Sequence, residues 1–387
     1  MSTLTLPEAD FMKDEELQMF ADAAKRFFSR AAPPERVAKW VEDGQVEREF
    51  WNEVGAAGFL GVSLPEAYGG PGGDFRHDVA LCEVCARAGL EGFAITLHNV
   101  IVAPYIQLHG TEEQKQKWLP KLVSGERVCA IAMSEPGAGS DLQAIRTTAL
   151  KDGDGYRING SKTFISNGQI ADFIVVVAKT DPTKGARGVS LLIVETDKVE
   201  GFRRGKKLDK IGHEAQDTSE LFFDDVYVPA ENLLGGVEGQ GFFQLMAELP
   251  RERLIIAVNS VIAMEKAINW TIEYTKDRKA FGQSVYDFQN TQFELASCKA
   301  KAVVARTFVN DCIEKAIAGT LDNDTSAIAK LWVTDTEWEI MDACLQLHGG
   351  YGYVNEFPIA KQWKNSRIQR IYGGSNEIMK VLIARGI

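Results

Sequence analysis

The spacing of apolar residues changes twice along this chain, and those two changes restrict its architecture more than any single motif does. Up to about residue 126 the spacing is helical. Leu17, Phe20, Ala21, Ala24, Phe27 and Phe28 recur at intervals that gather side chains on one helix face. Thr111-Glu112-Glu113-Gln114 has the form of a capping box ahead of a helix carrying Trp118 and Leu119. From about 127 to 237 the pattern shortens to β-branched runs of strand length, ADFIVVVAKT, GVSLLIVET and SELFFDDVYVP. Beyond 238 long amphipathic segments return, broken by HGGYGY. The expectation is an α+β chain in three parts. These are an N-terminal helical domain (1–126), a compact middle β-domain (127–237) and a C-terminal helical bundle (238–387). Pro250 should kink the first C-terminal helix or start a new one.

A chain of 387 residues is too long for one simple core, which agrees with several domains. The formal net charge of −11 argues against nucleic acid as the main partner, because phosphate backbones need a basic surface. A phosphate-bearing small molecule stays open, since a few local cations suffice for it. The first twenty residues have neither the basic-then-apolar order of a secretory leader nor the Arg-rich, acid-poor character of an organelle leader. No stretch approaches the roughly 18 apolar residues of a spanning helix. The expectation is a cytoplasmic protein with no integral membrane segment, or the processed form of a mitochondrial one. Six scattered cysteines suit reduced thiols. Cys82 and Cys85 form a C-x-x-C that reads as buried helix, with no second pair at ligand spacing, so no metal site is expected.

Three segments are candidates for ligand chemistry. AMSEPGAGSDLQA (132–144) places Ser134, Gly137, Gly139 and Ser140 where backbone amides can approach a flat polar ring or a phosphate. In KTFISNG, strand alternation puts Phe164 and Ser166 on one face, an aromatic plane beside a hydroxyl. QLHGGYGYVNEFPIAKQWKN (346–365) follows a long helix, so its glycines are not a Rossmann fingerprint, but they can wrap a pyrophosphate. Arg278 in KDRKAFG can clamp a phosphate. Each of these, taken alone, reads first as a turn, a strand end or a solvated charge.

Together, the two long signatures resemble those of the acyl-CoA dehydrogenase family, and the resemblance covers nearly the whole chain; it implies that the middle domain is β-barrel or sandwich-like and that the C-terminal domain is a four-helix bundle. It implies an FAD flavin faced by Ile131, Met133, Ser134, Gly139, Ser140, Phe164, Ile165 and Ser166. It implies that Arg278, Phe281, Gln289, Gln346, Gly349 and Gly350 reach the FAD of a neighbouring subunit, and that Ser375 to Glu377 touch the adenylate. Ser140, Phe243, Arg253, Tyr372, Gly373 and Gly374 are the implied substrate contacts. The same resemblance implies a homotetramer, an acyl-CoA substrate in fatty-acid β-oxidation, and electron-transfer flavoprotein as electron acceptor.

The reaction so implied needs a base at Cα. Much of the family carries it as Glu in a Tyr-Glu-Gly-Thr run, but this chain reads Tyr372-Gly373-Gly374-Ser375. The family's second location precedes an Arg on the first long C-terminal helix, and here it holds Glu252. That pattern is most similar to the long-chain type, with the isovaleryl type as the alternative. On a helix Glu252 has Glu248, Leu249, Ile255 and Ile256 beside it, and lost hydration should raise its pKa. Arg251 and Arg253 should point elsewhere. By resemblance the residue 373 amide and a flavin ribityl hydroxyl form an oxyanion hole. A medium-to-long or methyl-branched acyl chain is expected, and a Glu restored at 373 should partly rescue loss of Glu252. An O₂-using oxidase or monooxygenase on this fold, and a binding subunit without catalysis, are the competing readings.

Overall fold

The computed structural model describes residues 4–90 and 92–387. The first part is helical: α1 Glu15–Ala31, α2 Pro34–Asp43, α3 Arg48–Ala56, α4 Phe75–Arg87, α5 Ala103–His109 and α6 Glu112–Val123. A π-helical stretch, Leu97–Val102, runs into α5. The capping box forms at α6. The Thr111 hydroxyl accepts from the Gln114 amide at 3.3 Å, and the Gln114 side chain accepts from the Thr111 amide at 3.0 Å.

Seven strands follow: β1 Cys129–Ala132, β2 Thr148–Asp152, β3 Gly155–Ser166, β4 Phe173–Lys179, β5 Val189–Glu195, β6 Phe202–Lys207 and β7 Thr218–Pro229. They form one sheet in the order β1-β4-β2-β3-β7-β6, with β5 also on β4. Only Thr148↔Lys179 joins β2 to β4, so the sheet folds there into two leaves. Alternation along β4 explains the packing. Ile174, Val176 and Ala178 enter the core between the leaves, beside Ile158, Leu221 and Val226. Phe173, Val175 and Val177 face the other way, onto α5 and α6 through Tyr105, Ile106 and Trp118. β4 is therefore buried on both faces and shows no polar alternation.

The last part begins with α7 Gly241–Asp277. A hairpin of β8 Lys279–Ala280 and β9 Gln283–Ser284 leads to α8 Gln289–Ile317, α9 Asn323–His348, α10 Pro358–Ser366 and α11 Asn376–Ala384. α7, α8 and α9 share a core that includes Val258, Val261, Met264, Ala302, Val309, Val333 and Met341. Of the two outcomes expected at Pro250, a kink or a new helix, the second does not occur: α7 passes through it for 37 residues. An interior proline costs about 3 kcal/mol. Burial of Leu249, Leu254, Ile255, Ala257 and Val258 on either side outweighs that cost at ~1.5–3 kcal/mol per large apolar side chain.

Candidate active site

α4 and α7 lie side by side in the same direction. Three contacts fix their register: Arg251 to Asp78 at 2.7 Å, the Cys82 thiol to Asn259 Oδ1 at 3.0 Å, and Lys266 Nζ to the Ala86 carbonyl at 2.6 Å. A cavity runs between them. Its α7 wall is Glu252, Ile255, Ile256, Asn259, Ala263 and Lys266, one face of the helix. Opposite lie Cys82, Cys85 and Ala86, then Leu97 and Ile101 of the π-helical stretch. Ser166, His213, Tyr372 and Gly373 line the same space. The two cysteines are buried in a helix, as expected, and they face this cavity. Burial pushes both thiols up, so they stay protonated.

Glu252 is 6% exposed, and its Oε1 accepts the Tyr105 hydroxyl proton at 2.8 Å. Burial raises its pKa to about 7; the Tyr105 hydrogen bond opposes that, the charge of Glu248 adds to it, and Arg253 opposes it weakly. Glu248 sits one turn earlier, 2.9 Å from His109 Nε2. Arg251 turns away to Asp78, whose carboxyl is pushed up to about 6 by burial despite that partner. Arg253 also turns away, buried, toward the side where Lys330 sits. It does not line the cavity, and neither do Phe243 and Gly374. Phe243 is exposed, and the Gly374 carbonyl accepts from Lys330 Nζ at 2.8 Å. Of the substrate contacts implied by the sequence, Tyr372 and Gly373 line the cavity. Gly373 has φ +65°, and a Cβ there would stand 2.5 Å from Ile256 Cδ1. Glycine is thus favoured by conformation and by space.

The loop after β1 is held by a buried ion pair. Lys162 Nζ lies 2.9 Å from Glu135 Oε1 and 3.0 Å from the Met133 carbonyl. Glu135 also accepts from the Arg146 and Thr147 amides at 2.6 and 2.9 Å. Burial pulls the Lys162 ammonium down to about 8. With the Thr163 amide on the Ser134 carbonyl at 3.0 Å, the loop is pinned. Ile131 and Met133 pack against the core, while Gly139 and Ser140 stand exposed with open space at Gly139. Phe164 is 70% exposed at φ +60°. Ile165, between Phe164 and Ser166, is buried in the core between the sheet leaves, which leaves only its backbone to face a ligand. His213 lines the cavity, and its buried Nδ1 has no partner. An open aromatic face, open backbone and an orphaned polar atom fit a flat ring with a polar edge.

A second groove gathers Tyr274, Arg278, Gln346, Gly349, Gly350 and Tyr351. Arg278 stands 5.9 Å over the Tyr351 ring. Phe281, at the tip of the β8–β9 hairpin, is 97% exposed, and Gln289 starts α8 beside it, also exposed. Ser375 caps α11, accepting from the Ile378 amide at 3.4 Å, with Glu377 exposed in that first turn. The two sites share no lining residue. Glu252 and Arg278 are 26 positions apart along one helix, about 39 Å at 1.5 Å per residue.

Sequence reasoning missed Tyr105, His109 and the Glu135–Lys162 pair. Only the last left a signal, since Glu135 and Lys162 fall inside two of the segments singled out in the sequence. Among the described residues no cluster of His, Cys, Asp or Glu could hold a metal ion. No helix is long and apolar enough to cross a membrane.

Three family descriptions match consecutive stretches: acyl-CoA dehydrogenase N-terminal domain over 14–126, middle domain over 130–226 and C-terminal domain over 239–387. The chain is 44% identical to mitochondrial long-chain specific acyl-CoA dehydrogenase of Mus musculus, covering 96% of this chain and 86% of that one. It is 34% identical to mitochondrial isovaleryl-CoA dehydrogenase of Solanum tuberosum, covering 95% and 91%. A crystal structure of acyl-CoA dehydrogenase from Geobacillus kaustophilus superposes with TM-score 0.95 at 47% identity, covering 98% and 99%.

Proposed function

The chain belongs to the acyl-CoA dehydrogenase family of FAD-dependent oxidoreductases, and from that premise we propose that it converts a medium-to-long straight-chain acyl-CoA into the trans-2-enoyl-CoA, with Glu252 as the base. The observation that carries the reading is a buried carboxylate opening, beside Gly373, into a cavity that Ile255, Ile256, Leu97 and Ile101 make largely apolar. The buried Glu252 carboxylate takes the proton from Cα. A pKa near neutrality suits it to do so and to release the proton afterwards. The Gly373 amide donates to the thioester carbonyl and stabilises charge as the Cα proton leaves. Bound FAD supplies the acceptor for the hydride from Cβ. Ser134, Phe164, Ser166 and the loop pinned by Lys162 would hold its ring. Electron-transfer flavoprotein is the acceptor that the family resemblance implies.

Chain length is argued from the cavity. From Glu252 to Lys266 it follows α7 for fourteen residues, about 21 Å. A staggered acyl chain advances about 1.3 Å per carbon, so roughly sixteen carbons span that length. Ile256 Cδ1 stands 2.5 Å from where a Gly373 Cβ would be, so the room left by the glycine is partly filled, which supports a straight chain over a branched one. Greater identity to the long-chain relative than to the isovaleryl one supports the same reading. The test is a panel of butyryl-, isovaleryl-, octanoyl- and palmitoyl-CoA with an artificial electron acceptor. We expect kcat/KM to rise from butyryl to the longer chains; a preference for butyryl- or isovaleryl-CoA contradicts the reading.

A further inference from the structure

The wall behind Glu252 has a feature that the reaction chemistry does not require. α5 presents Tyr105 and His109, four residues apart, to Glu252 and Glu248, four residues apart on α7. The Tyr105 hydroxyl meets Glu252 Oε1 at 2.8 Å, and His109 Nε2 meets Glu248 Oε1 at 2.9 Å. The two α5 rings lie 6.2 Å apart, centroid to centroid. Glu252 lines the cavity, while Tyr105, His109 and Glu248 do not. Anything these three do to the reaction must therefore pass through Glu252.

We propose that α5 is the holder of the base: Tyr105 is a positioning residue that fixes Glu252 with Oε2 left for the substrate, while His109 anchors Glu248 as a second carboxylate that sets how readily Glu252 gives up its proton. The proposal rests on the reading of Glu252 as the base. Its physical content lies in two opposed influences. A hydroxyl donating to Oε1 favours the ionised form, and a neighbouring carboxylate disfavours it. Tyr105 is wholly buried, so no water substitutes for its hydroxyl at no cost. The Tyr105 proton is itself held more tightly, by burial first and by the Glu252 charge second, which keeps it a donor. The other charged and titratable groups around Glu252 are Arg253 on α7, Cys82 and Cys85 on α4, Tyr372, His213 in its loop, and Lys266 at the far end of the cavity.

The test measures kcat/KM against pH for the FAD-loaded protein and the best substrate of the panel. Tyr105→Phe keeps the ring and removes the donor. Its acid limb should move up by about one pH unit, so that activity at pH 6 falls by roughly tenfold. Glu248→Gln removes the neighbouring charge, and its limb should move down by about half a unit. A residue that only packs would change stability or FAD retention and leave both limbs in place. Limbs that stay where they are, or that move in the same direction, overturn the proposal. If Tyr105→Phe fails to retain FAD, a Glu248→Gln limb that is unmoved or moves up overturns it alone. The underlying reading is tested separately: Glu252→Gln should lose turnover whichever way these limbs move.

Discussion

Glu252 and Gly373 are best understood as a pair. The carboxylate is buried in the cavity wall, and Gly373 leaves room for Ile256, one turn along α7 from it. The sequence showed that the family's usual position lacks a base and pointed to Glu252 as the candidate, but not the cost of reversing the exchange. A Glu at 373 needs φ +65° and must displace Ile256, so the rescue expected from sequence should fail, and Glu252→Gln with Gly373→Glu should remain inactive. Glu252 also burdens the fold. Its native pKa of about 7 lies above the ordinary carboxylate value of about 4.5, so the native state binds more protons than the unfolded chain between those pH values. Stability therefore falls as pH rises through that window, by on the order of 3 kcal/mol once both states are ionised. Glu252→Gln lacks this loss. Thermal melts of the FAD-free protein should show the variant gaining on the parent between pH 5 and pH 8; a constant gap would mean that the carboxylate is not desolvated.

At the scale of elements, α7 carries most of the site. It supplies Glu252, the cavity wall and, through Arg278 at its end, the start of the second groove. Its periodicity was legible, and its continuity through Pro250 was not, because a proline rule is local and the burial that overrides it is not. The sheet was legible as strands, yet its folding into two leaves depends on one pairing between β2 and β4 that no local pattern encodes. The Glu135–Lys162 pair is the element-level device that shapes the loop after β1. Both side chains are buried, so removing one strands the other: Lys162→Met should cost about 3–5 kcal/mol of stability and loosen FAD retention. Lys162→Met with Glu135→Gln should recover part of both. Unaltered FAD retention on gel filtration of the single variant would mean that the pair does not shape the loop.

Across the whole molecule, Glu252 in the cavity and Arg278 in the second groove stand about 39 Å apart along α7, so the two sites are separate within one chain. Phe281 is almost fully exposed on a hairpin tip, which leaves it open to a neighbouring copy in the homotetramer that the family resemblance implies. The long signatures made the reaction class legible. Residues behind the base stayed hidden, because Tyr105 and His109 lie far from Glu252 in sequence and belong to no motif. The account stands on Glu252 taking the Cα proton, and anaerobic mixing with octanoyl- or palmitoyl-CoA tests that most directly. The parent protein should lose its flavin absorbance within turnover time. Glu252→Gln should bind the same acyl-CoA, seen as a perturbed flavin spectrum, and bleach slower by on the order of 10²–10⁴. A Glu252→Gln protein that bleaches as fast as the parent would contradict the account.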